Sequence, residues 1–152
     1  MLNPAFCGAI MTAAVADYVV GHTGGMPFAL GFLVLPLVLH KPTRDILPRS
    51  TKTTLAAWAL ANPAARVGFA ERCRSLSSFT REGTLFAANR GYLRFVADGA
   101  MVPGTLSLSN KLIEQVPSDE ARACLKKAFL VGRWMAGAGS DSTVFMLLGV
   151  RP

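Results

Sequence analysis

The sequence predicts a mainly α-helical single domain with a winged-helix-like core and one small β-hairpin. Three observations carry that prediction. Apolar residues recur at helical spacing between capping residues over most of the chain. Asp98-Gly99 lies between two short apolar runs, Leu93, Phe95 and Val96 before it and Met101 and Val102 after it, as a hairpin turn does. The 152 residues suffice for one sizeable core but not for a core plus an independent second module.

Asn3 stands where an N-cap belongs, with Pro4 at the position proline prefers, and predicts a helix to about Val20 with Phe6, Ile10, Ala13 and Ala14 on one face. Gly24-Gly25 separates it from a wholly apolar helix, "FALGFLVLPLVL", and the two make a helical pair over residues 1–40. A helix apolar on every side must be surrounded on every side, and the rest of so short a chain is not expected to manage that alone. The link "HKPTRDILPRS" follows, read as a loop stiffened by Pro42 and Pro48.

Ser50 or Thr51 starts a short helix, "TTLAAWALA", which ends at Asn62-Pro63, and Asn62 is expected to cap the next one. That next stretch, from Ala64 to about Leu93, is one helix or two broken around Ser77 and Ser78. With the hairpin, whose second strand Pro103 ends or places at an edge, residues 50–104 follow the helix, corner, helix, hairpin order of a winged helix. Over residues 117–149, Ser118 caps a helix to about Ala136, with Asp119 and Glu120 at its start and Lys126, Lys127 and Arg133 later, as the dipole favours. Ala121, Leu125, Ala128, Val131 and Met135 form its inward face, with Trp134 to one side. Ser140 caps a closing helix that packs through Val144, Phe145 and Leu148 and ends at Gly149.

The composition narrows the function. Hydrophobic residues make up 51% of the chain and charged ones 16%, against about 25% in ordinary soluble domains. Such a chain is short of polar surface, which implies that another protein covers part of it. The net charge of +7 favours an acidic partner: nucleic acid, an acidic protein face or a membrane surface. The charge-free run over residues 26–39 is too short for the roughly 20 residues a membrane span needs, and no membrane partner is expected. No basic residue precedes the apolar N-terminal stretch and Asp17 interrupts it, so it does not read as a signal peptide. Cys7, Cys73 and Cys124 are far apart and odd in number, with no metal-ligand spacing; they read as small buried hydrophobes in a reducing cytoplasm.

No catalytic constellation is written in the chain. His22 and His40 lack a carboxylate or cysteine at useful spacing, and there is no nucleophile elbow, P-loop or dinucleotide fingerprint. No metal, no cofactor and no enzymatic activity are expected. Two basic groups remain as candidates. His40, Lys41, Arg44 and Arg49 cluster at the mouth of the apolar helix, either as a polar cap in water or as a docking patch for a carboxylate or phosphate on a partner. Arg66, Arg72 and Arg74 lie in the second helix of the winged-helix-like segment and are candidate nucleic-acid contacts. Ala64 and Ala65 stand at its start, where recognition helices present polar side chains, and this weakens base reading.

The succession "LNPAFCGAI", "FLVLPLVLHKPTRDILP", "AAWALANPAARVGFAERCRSL" with "FTREGTLFA", "LKKAFLVGRWMA" and "TVFMLLGVRP" resembles the middle component of prokaryotic three-component ABC ATPase systems. The likeness covers nearly the whole chain in the same order. It implies a small helical protein that works with a large ABC ATPase of the chromosome-maintenance or DNA-repair type and with a third, effector-like subunit. Such systems look like conflict or anti-phage defence machinery, related in design to Lamassu. The resemblance carries no functional residues onto this chain. The expected role is a non-enzymatic adaptor linking ATPase to effector, with possible DNA contact inside the complex; the alternative is a winged-helix DNA-binding protein.

Overall fold

The computed structural model describes residues 2–152. Its first helix, α1 (Pro4–Gly21), begins as expected: the Asn3 side chain accepts a hydrogen bond from the Phe6 amide at 2.8 Å, with Pro4 following. Ile10, Ala13 and Ala14 are buried on the expected face with Phe6 packed beside them, and burial extends beyond that face because α1 is the central helix. It lies between α5 (Phe69–Asn89) and α7 (Asp119–Ala136), and its buried residues, from Cys7 through Tyr18, point in every direction. By length and composition α1 is also long and apolar enough to cross a membrane, a test that the core helix of a folded domain passes too, and half of it is buried inside this fold.

Glycine sets how closely these helices approach. A Cβ on Gly83 of α5 would stand 2.6 Å from the Cys7 Cβ, and one on Gly8 of α1 would stand 2.7 Å from the Gly83 carbonyl oxygen. On the opposite side of α1, a Cβ on Gly132 of α7 would run into the Ala14 carbonyl. Backbone therefore meets backbone on both sides of α1.

The apolar α2 (Phe28–Leu39) packs against α5, α7 and α1, which bury Leu30, Leu33, Val34, Leu35, Leu37 and Val38. The chain thus surrounds most of α2 by itself, against expectation. Phe28, Ala29 and Phe32 stay partly or fully exposed. The link after α2 is not a loop: it forms a short helix, α3 (Lys41–Ile46), with Pro42 in its first turn, where a missing amide costs nothing.

Thr54, rather than Ser50 or Thr51, caps α4 (Leu55–Ala61), accepting from the Ala57 amide at 3.1 Å. Asn62 does not cap the next helix; its amide donates back to the Trp58 carbonyl at 2.9 Å, and residues Pro63–Arg66 make a 3-10 turn before α5. The α5 helix is continuous through Ser77 and Ser78. β1 (Leu93–Phe95) pairs antiparallel with β2 (Met101–Pro103), Arg94 opposite Val102. The turn closes through the Gly99 amide on the Val96 carbonyl at 2.8 Å, with Gly99 at φ 78°.

The helix, turn, helix, hairpin order is therefore present. Its packing is governed by the rest of the chain: α4 rests on the closing helix α8 (Asp141–Leu148), and the hairpin lies against α1 and α5. Met26 bridges to Met101 through two backbone hydrogen bonds of 2.9 and 2.8 Å.

A short helix not anticipated, α6 (Asn110–Glu114), precedes α7. Ser118 and Ser140 cap α7 and α8 as expected. Trp134 is buried with the α7 core face, its ring edge-to-face with Trp58 at 5.1 Å and its indole nitrogen on the Thr53 carbonyl at 2.8 Å. Ala121, placed in the core by its spacing, is only half-buried, in the first turn of the helix.

Candidate functional site

The basic residues at the mouth of α2 do not form one surface. Arg44 is 4% exposed. One guanidinium nitrogen donates to the Val38 carbonyl at 2.7 Å and to the Leu39 carbonyl at 3.4 Å, the last turn of α2, whose carbonyls have no partner within the helix. The other nitrogen meets the Glu120 carboxylate of α7 at 2.8 Å. The solvated cap expected of Arg44 does not form: it ties α2, α3 and α7 together from inside.

Lys41 pairs with Asp45 one turn along at 2.6 Å, in solvent. His40 Nδ1 lies 2.7 Å from the Thr43 hydroxyl, and burial together with the charge of Arg72 lowers its pKa from the ordinary 6.5. Arg49 is exposed. Lys127 donates to the Leu47 and Pro48 carbonyls at 3.4 and 3.1 Å, and burial, then Arg49, lowers its pKa.

The second arginine group is also divided. Arg72 turns inward: one nitrogen reaches the Thr43 hydroxyl at 3.4 Å, another the Val67 carbonyl at 3.3 Å, and its Nε is buried without a hydrogen-bond partner. The corner and α3 are joined by it. Arg74 pairs with Glu71 at 2.7 Å on the surface, and Arg66 is exposed on the 3-10 turn.

What the sequence reading missed lies beside Arg74. A trough of about 760 Å³ runs between α2, α5 and the end of α8. Phe28, Ala29 and Phe32 form one wall, and Ala70, Cys73 and Ser77 of α5 form another. Phe145, Val150 and Pro152 close the end. Phe28 packs edge-to-face on Phe32 at 5.0 Å and on the half-exposed Phe95 at 5.8 Å, and the Arg81 guanidinium sits over the Phe32 ring at 5.3 Å. The Cys73 thiol in its wall is pushed by burial to about 11, so it is a hydrophobe here rather than a nucleophile.

The signal for this trough was the four-residue spacing of Phe28 and Phe32, masked in a helix where every residue is apolar. The chemistry the trough offers is apolar contact and cationic pairing. Among the described residues no cluster of His, Cys, Asp and Glu is arranged to hold a metal ion.

Neither a curated protein nor a solved structure matches the chain. The family model described as "ABC-three component (ABC-3C) system Middle Component 3" matches residues 1–152, in agreement with the resemblance carried by the motifs. Matched over its whole length, the chain belongs to that family of middle components of ABC-three component systems.

Proposed function

We propose that this chain is a non-enzymatic adaptor of the cytoplasm, joining a chromosome-maintenance-type ABC ATPase to an effector subunit in a prokaryotic defence system. The observation that carries this reading is the open aromatic trough on a member of a middle-component family. Exposed apolar surface rimmed by charge marks an interaction site. The test is co-expression of the tagged chain with the ATPase and third component encoded beside it, followed by pull-down in low and high salt. Both components should co-purify, and the complex should survive high salt because apolar contact is not screened. Retention of neither component overturns the reading.

The net charge and the exposed Arg66 favour a second reading, a winged-helix protein that binds DNA through the 3-10 turn and the start of α5. Arg72, which would share that work, turns inward onto the Thr43 hydroxyl and the Val67 carbonyl, whereas Arg74 is held only by a surface pair with Glu71. Binding of bare duplex DNA that falls steeply with salt, roughly in proportion to the phosphates neutralised, would select this second reading.

A further inference from the structure

The trough has a shape and a charge that define what it accepts. Along α5, residues 70, 73, 74, 77 and 81 share one face, and the distance from Ala70 to Arg81 is about 16 Å at 1.5 Å per residue. That is a slot about three helical turns long, with one aromatic wall. The charged residues lining it are Arg74, Arg81 and Arg151, and all are cations. Arg74 is held only by its exposed pair with Glu71, in which both side chains are 71% exposed. Arg81 rests on a ring and makes no ion pair with a described residue, and Arg151 is exposed.

We propose that this trough seats an acidic amphipathic helix from another component of the ABC-three component system. The proposal rests on the adaptor reading and names the partner's chemistry at this site. Apolar side chains at three- and four-residue spacing pack against the Phe28 and Phe32 wall, and Asp or Glu on the flanks pair with Arg74, Arg81 and Arg151. A compact anion would use one end of so long a slot. A nucleic-acid strand needs free aromatic faces for its bases. Here Arg81 covers a face of Phe32, and Phe28 is engaged edge-to-face with both Phe32 and Phe95.

The test uses the full chain, co-expressed with its two partner components, with benzoylphenylalanine in place of Ser77 on the trough wall. Irradiation of the purified complex should join it to one peptide of a partner component, with apolar residues at helical spacing and flanking carboxylates. If the complex assembles but the crosslink falls on lipid, nucleic acid or a second copy of this chain, or on nothing, the trough assignment is overturned while the adaptor reading stands. If no complex assembles, both fall. In parallel, Arg81→Glu, an exposed position that leaves the core intact, should weaken assembly about tenfold or more, and Phe32→Glu likewise. Arg81→Lys, which keeps the charge but loses the planar stack on Phe32, should fall between wild type and Arg81→Glu. Wild-type assembly by Arg81→Glu overturns the charge pairing on which the proposal depends.

Discussion

Arg44 and Glu120 meet at 2.8 Å across the junction of α3 and α7, one side chain 5% exposed and the other 65%. The asymmetry decides their worth. Removing the arginine strips the Val38 carbonyl of a charged donor inside the fold, whereas removing the glutamate leaves a guanidinium still bonded to two carbonyls. Arg44→Ala should therefore lower the unfolding free energy by about 1.5 to 3 kcal/mol. Glu120→Ala should cost no more than about 1 kcal/mol. Urea titrations of both variants check this, and a wild-type midpoint for Arg44→Ala would return that residue to the surface.

The crossing of α1 and α7 allows no side chain at position 132, because the atom met there is the Ala14 backbone carbonyl, which cannot rotate away. Gly132→Ala must push the two central helices apart and loosen the packing of Val131 and Met135. Overpacking of this kind costs about 1 to 3 kcal/mol and more where backbone is struck, so the upper end is expected. Thermal unfolding should show a lower midpoint, with Gly99→Ala at the open hairpin turn losing less.

Elements announced by local chemistry were legible in the sequence. Asn3, Ser118 and Ser140 cap helices, and Asp98-Gly99 turns a hairpin, because each acts on a backbone group within a few residues. Arg44 was not legible. Its partners are the end of the preceding helix and Glu120, 76 positions away, and no local pattern distinguishes a buried arginine from a solvated one. The trough was hidden for a similar reason, since its walls come from α2, α5 and the chain end. That α2 is enclosed by its own chain was equally out of reach, because its neighbours α5 and α7 reach it only through the tertiary fold.

His40 gives the fold a pH dependence with a definite sign. Burial and then the charge of Arg72 lower its pKa below the ordinary 6.5, so the unfolded chain binds the proton more readily than the folded one. The stability it contributes is complete above 6.5 and is lost as pH falls through the lower, folded value. Asp17 works in the opposite sense, its pKa raised chiefly by burial, and is common to both proteins in the comparison. Between about pH 7 and about pH 5, the wild type should lose more stability than His40→Gln, measured by denaturant midpoints at each pH. Parallel curves would remove His40 as the titrating group.

The closing helix decides how much of the fold the end of the chain supports. Val144, Phe145 and Leu148 are buried at 0%, 5% and 2% exposure, and α8 packs on both α4 and α2. Cutting the chain after Gly139 removes those three side chains, each contributing about 1.5 to 3 kcal/mol when fully buried, from a domain whose whole margin is typically about 5 to 15. It also uncovers the parts of α4 and α2 on which α8 packs, and removes the Phe145 end of the trough. The truncated chain is expected to lose its cooperative thermal transition as well as its partner binding. A truncated chain that melts like the full protein yet no longer assembles would show α8 to be a docking element with little role in stability, which its burial argues against.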